Sequence, residues 1–140
     1  MAKFSSSGFT ITLDDSGGVA RIVTQFVLTM GALKISNNTQ KSTAFGDTWE
    51  KLLVTGIRQG APIALTGILD DTANTGTFAT MIPTAADAVP GFVRNLVIAM
   101  GGGHTYTATV ILTEGAVVPK TGNLADYSAS LQPTGSIAIV

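Results

Sequence analysis

A mainly β fold is what this sequence predicts, on three observations: its composition, its alternating hydrophobic pattern and the placing of its glycines. Threonine is the commonest of the 140 residues, with 20 copies, and there are 16 glycines. Threonine favours strands, whereas glycine is depleted inside them and marks turns and bulges. The length is that of one domain, so a single domain over 1–140 is expected.

Each element follows from its pattern. In "GFTITLDD", Phe9, Ile11 and Leu13 point one way and Thr10 and Thr12 the other, the period of a half-buried strand. In "ARIVTQFVLTMG", Ile22, Phe26, Leu28 and Met30 share an apolar face and Arg21, Gln25 and Thr29 the polar one, which predicts a strand over 19–30 with Leu28 in the core. "DDSGG" between them supplies a turn, so the two pair as a hairpin. "APIALTGIL" and "GFVRNLVIAM" are mostly apolar and read as strands covered on both faces. Gly101, Gly102 and Gly103 turn the chain into "HTYTATVILTE", where Tyr106, Ala108, Val110 and Leu112 face in and Thr105, Thr107, Thr109 and Thr113 face out. "ADYSASLQ" puts Tyr127, Ala129 and Leu131 inward, and "GSIAIV" adds a last short strand.

Helical signals are few. Asp47-x-x-Glu50 has the spacing of a capping box, with Trp49, Leu52 and Leu53 at i, i+3, i+4 behind it, enough for one or two turns. Phe78, Met81 and Ile82 keep helical spacing up to Pro83, which predicts one short flanking α-helix over 73–82.

Catalytic and ligand-binding chemistry has little to work with. His104 is the only histidine and opens a strand beside three glycines, a poor place for a triad. Asp14-Asp15 and Asp70-Asp71, the only acidic pairs, fall in turns where aspartate is favoured for its own reasons. With no cysteine and no Gly-Lys dipeptide, thiolate sites and a nucleotide P-loop are excluded. The expectation is therefore no enzyme, no metal and no cofactor. A net charge of −1 leaves no basic footprint for gripping nucleic acid. No run of 18 apolar residues exists to span a membrane, and the first residues lack a secretory h-region. Charged residues are 12% of the chain, about half the usual share. So thin a coat of charge suits a protein packed against neighbours. A carbohydrate-binding β-sandwich would show a row of exposed aromatics, and one tryptophan and two tyrosines make no such row.

Four stretches, in order, carry a resemblance: "ITLDDSGGVARIVTQFVLTM", "STAFGDTWEKLL", "IALTGILDD" and "ASLQPTG". Across residues 9–135 the chain resembles the tail tube (major tail) proteins of long, non-contractile, siphovirus-like bacteriophage tails. Those proteins often carry a turn like 14–18, a Thr-x-Phe-Gly-Asp element like 43–47 and a Gly-x-x-Asp-Asp strand ending like 67–71. The resemblance implies a β-sandwich or barrel-like tail tube fold with a flanking helix. It further implies homo-oligomeric, hexameric rings that stack into a tube with other phage tail proteins. It implies a lumen through which DNA passes without tight binding. The place it implies is the virion tail, assembled in the host cytoplasm. The alternative is another virion β-sandwich, such as a tail terminator or capsid decoration protein.

Within that frame residues 1–8 are expected to be a flexible N-terminal arm and 34–48 a long inter-subunit loop. Lys34, Ile35, Asn37, Asn38, Gln40, Lys41 and Phe45 form the assembly loop, too poor in apolar groups to order alone. Trp49, with Leu52 and Leu53, is the buried anchor that ties its far end to the subunit body. Arg21, Gln25 and Thr29 are the ring or lumen residues of the second strand.

Overall fold

The structure, a computed structural model, describes residues 8–69, 80–119, 121 and 125–140. Nine strands are defined among them: β1 Thr10–Asp14, β2 Ala20–Ile22, β3 Val27–Met30, β4 Ile35–Lys41, β5 Leu52–Gly60, β6 Ile63–Ile68, β7 Arg94–Gly101, β8 His104–Val118 and β9 Asp126–Ile139. Seven form one antiparallel sheet in the order β2-β1-β7-β8-β9-β6-β3, and β4 and β5 pair separately. The fold is mainly β, as the composition and alternation predict.

The first hairpin forms as expected, with Leu13 opposite Arg21. Its turn is held by Asp15, whose Oδ1 accepts the Gly17 and Val19 N–H groups at 2.9 and 3.0 Å and whose Oδ2 accepts Arg21 Nε at 3.1 Å. The single strand expected over 19–30 is broken. After β2, a 3-10 turn at Thr24–Phe26 carries the chain to β3, at the opposite edge of the sheet. Laid flat at about 4.8 Å spacing, seven strands would hold their outer members roughly 29 Å apart. The five steps from Ile22 to Val27 span about 18 Å at most. The sheet must therefore curl, and the interior it encloses is the core. Val23 drops into that interior as the chain crosses, its N–H donating to the Ile11 carbonyl at 3.0 Å. Ile22 and Leu28, assigned to the core by alternation, are exposed, and a register shift on β6 between Val27 and Thr29 leaves both Leu28 and Thr29 outward.

Two glycines let other segments lie close to the sheet. At Gly67 on β6 a Cβ would strike the Phe26 carbonyl where the crossing segment meets the strand. At Gly115 on β8 it would strike the Met81 carbonyl and the Pro83 ring. The core is built from Leu13, Ile63, Leu65, Leu96, Ile98, Val110 and Leu131, with Tyr106 and Tyr127 beside them. The inward residues read from β8 and β9 are all buried. The hydroxyls of Tyr106 and Tyr127 have no hydrogen-bond partner among the described residues.

Other expectations need correction. β6 and β7 are not covered on both faces: Ala64, Thr66 and Asn95 are exposed, and each strand alternates. "GSIAIV" is not a separate strand but the far half of β9, which re-registers on β8 where Thr109 faces Thr134 and Ala108 faces Ile137. No helix begins at Asp47. Its Oδ2 accepts the Ala44 N–H at 2.7 Å and its Oδ1 the Lys51 ammonium at 3.1 Å, so the side chain closes a turn instead of capping a helix. A capping box does form at Thr84 and Asp87, on a 3-10 turn at Ala85–Ala88. The helix expected over 73–82 falls mostly outside the described residues; its end, Thr80 and Met81, is helical and buried. The N-terminal arm expected over 1–8 also lies outside them, except for Gly8.

Candidate assembly surface

The segment expected to be a loop is one side of a projecting hairpin. Ile35 pairs with Gly60, Asn37 with Arg58, Gln40 with Leu53 and Lys41 with Leu52, with a register shift between Asn37 and Thr39. A polar run such as "KISNNTQK" does not announce a strand, because its alternation carries no apolar face. It becomes one because β5, rich in Leu, Val and Ile, supplies the partner ladder. Seven residues of strand extend about 23 Å.

The hairpin is joined to the body at its root. The Ala61 N–H donates to the Lys34 carbonyl at 3.0 Å, Gln132 Nε2 donates to the Gly60 carbonyl at 3.2 Å, and Gly60 packs against Pro133 and Ile137. Beyond the root both faces of β5 are open. Leu52, Leu53, Val54 and Ile57 are all exposed, and so is Thr55 between them. A two-stranded hairpin alone is marginal in water, and this one offers apolar side chains on either side for another surface to cover.

Its tip, residues 42–51, holds Phe45 fully exposed and Trp49 82% exposed. Trp49 is thus no anchor to its own subunit: it stands at the far end of the arm, and Leu52 and Leu53 start the returning strand in solvent. The expected assembly residues and the expected anchor residues do come together, as one projecting element. The charges near the tip pair internally, Lys41 with Glu50 at 2.8 Å and Lys51 with Asp47 at 3.1 Å. Lys34 and Arg58, nearer the root, have no ion-pair partner among the described residues.

Arg21, Gln25 and Thr29 do not share one strand face. Arg21 is tied to Asp15, Gln25 stands exposed on the 3-10 turn, and Thr29 on β3 hydrogen-bonds the Thr66 hydroxyl. The β3 edge borders an apolar groove of about 670 Å³, lined chiefly by Phe9, Val27, Leu28, Met30, Leu33 and Met100. None of its lining residues is charged. The sequence pattern hides this groove, because its walls come from three separated segments. His104 is exposed at the start of β8, its Nδ1 3.1 Å from the Val140 backbone oxygen.

No family model matches the sequence, and no curated protein matches it. Solved structures do match in fold. The chain is similar to one from the tail of an empty gene transfer agent particle of C6 symmetry, with a TM-score of 0.74, 17% identity and 99% of each chain covered. It is similar to a chain of the anti-feeding prophage baseplate, 6-fold symmetrised, with a TM-score of 0.69, 9% identity, and 100% of this chain and 97% of that one covered. It also matches the SPP1 tail tube, with a TM-score of 0.63, 9% identity, and 98% and 78% coverage. The fold is therefore that of tail tube chains, as the sequence resemblance implies.

Proposed function

We propose that this chain is a structural subunit of a phage-type tail, not an enzyme. Copies of it close into rings, six to a ring, and the rings stack into a tube that DNA traverses. The observation that carries this reading is the arm: eight of the nine residues of β5 stand exposed, Leu52, Leu53, Val54 and Ile57 among them, on a fold shared with tail structures. The six-fold count rests on the symmetry of the tail and baseplate that share the fold.

Support for a passive channel comes from charge. Lysine and arginine are missing from the outward faces of β6, β7, β8 and β9, which carry Thr66, Asn95, Thr107, Ser128 and Ser130 instead; Arg94 points inward. A wall without cations releases few counterions and holds phosphate weakly. The arm joins one ring to the next, and further tail proteins cap the tube. Negative-stain microscopy of the concentrated, purified protein tests the reading. Rings or tubes support it, whereas small monodisperse particles at every concentration overturn it in favour of a terminator or decoration role.

A further inference from the structure

The tip of the arm and the groove beside β3 match each other in chemistry, and neither is covered by the described residues of its own chain. Phe45 and Trp49 project from the tip without cover, while Phe9, Leu28, Met30, Leu33 and Met100 line a groove of about 670 Å³ with no aromatic plug. We propose that Trp49, with Phe45, seats in this groove on a second copy of the chain. The inference rests on the tube reading and names the residues by which the arm would hold its neighbour.

Charge favours that occupant. The groove presents no charged side chain, and the four charges nearest the tip, Lys41, Asp47, Glu50 and Lys51, neutralise one another in two ion pairs. The tip can thus enter an apolar site without stranding a lone charge there. Thioether side chains suit an aromatic guest, because sulfur is polarisable and contacts ring edges favourably. Area decides what else is needed. Two aromatics bury about 150–250 Å² each, against roughly 800 Å² per partner in a stable interface. They supply about half, and Leu52, Leu53 and Val54 beside the tip supply apolar surface towards the rest. Tip and groove are different patches on the same chain, so the contact is head-to-tail and extends without limit unless a ring closes it.

Trp49 is the only tryptophan, so its fluorescence reports the contact directly. On assembly of the wild-type protein its emission should move to shorter wavelength and its quenching by acrylamide should fall several-fold. A tip variant, Phe45→Ala with Trp49→Ala, and a groove variant, Leu28→Asp, should each lose at least tenfold in sedimentable assembly. Both alter exposed positions, so melting curves close to wild type are expected and separate lost docking from lost folding. Mixed together, the two variants should form short complexes that do not grow, since one keeps only a groove and the other only a tip. Long tubes with Trp49 still quenchable, or tubes from the tip variant at wild-type yield, overturn this inference alone. A wild-type protein that stays monomeric at every concentration overturns the tube reading, and this inference with it.

Discussion

Arg94 and Asp87 form a two-point ion pair inside the fold, with Nε–Oδ1 at 2.9 Å and Nη2–Oδ2 at 2.7 Å. Arg94 is fully buried on β7. Its remaining Nη1 donates to the carbonyls of Asp14 at 3.1 Å and Thr80 at 2.6 Å, so one guanidinium ties together β1, β7 and the segment after residue 80. Removing one partner of a buried pair leaves the other charge uncompensated, at about 3–5 kcal/mol. Asp87→Ala should lower the unfolding free energy by that order in urea titrations at pH 7.

The same pair sets an acid limit. Burial pushes the Asp87 carboxyl up, but the Arg94 hydrogen bond, the Thr84 N–H and the Arg94 charge outweigh it and hold it below its ordinary value. Asp15 is likewise depressed, its burial outweighed by the Val19 N–H and the Arg21 pair. A carboxyl depressed in the folded state stabilises above its unfolded pKa, near 3.9. That stability is lost as pH falls through the lower folded value. Urea midpoints should hold from pH 7 to about 5 and drop steeply below about 4. With alanine at 87 the acid drop should be shallower.

Tyr127 makes the opposite case. Burial pushes its phenol up to about 12, and its hydroxyl has no partner among the described residues. An unsatisfied buried group costs about 1–3 kcal/mol. Tyr127→Phe should therefore leave the melting temperature unchanged or raise it. The neutral phenol is the form the fold favours, so its contribution is present below the unfolded pKa near 10 and lost as pH rises through about 12. The phenylalanine variant should retain more stability than wild type over that alkaline range.

Gly67→Ala should be among the most damaging small substitutions. The new methyl would meet the Phe26 backbone carbonyl, which cannot turn aside as a flexible side chain can. Overpacking typically costs about 1–3 kcal/mol and more where backbone must move. A fall in urea midpoint no larger than that of a solvent-facing variant would remove Gly67 from the closure of the sheet.

The strands that face the core were legible because burial on one side writes a period of two into the sequence. Tyr106 to Leu112 and Tyr127 to Leu131 show it plainly, and all their inward residues are buried. The arm was legible as an unusual polar segment but not as a hairpin. A ladder exposed on both faces leaves no alternation to read. Trp49 invites a reading as core because tryptophan is usually buried; here it is left uncovered by the described residues of its own chain. The 3-10 turn at Thr24–Phe26 and the register shift between Val27 and Thr29 break the alternation in mid-segment, and Leu28 is 65% exposed. The Arg94–Asp87 pair joins residues seven apart across a turn, and no periodic pattern marks it.

Affinity for duplex DNA should be weak and nearly independent of salt, because the lysines and arginines are too few to release many counterions. A fluorescence titration at two salt concentrations checks this. Tight binding that falls steeply with salt would rule out a passive wall.

An image reconstruction of the assembled protein tests the central claim most directly. The hairpin Ile35–Gly60 should lie on a copy other than its own, with Trp49 covered by that neighbour. An assembled tube whose hairpins fold back on their own subunits, or stand free in solvent, would contradict it.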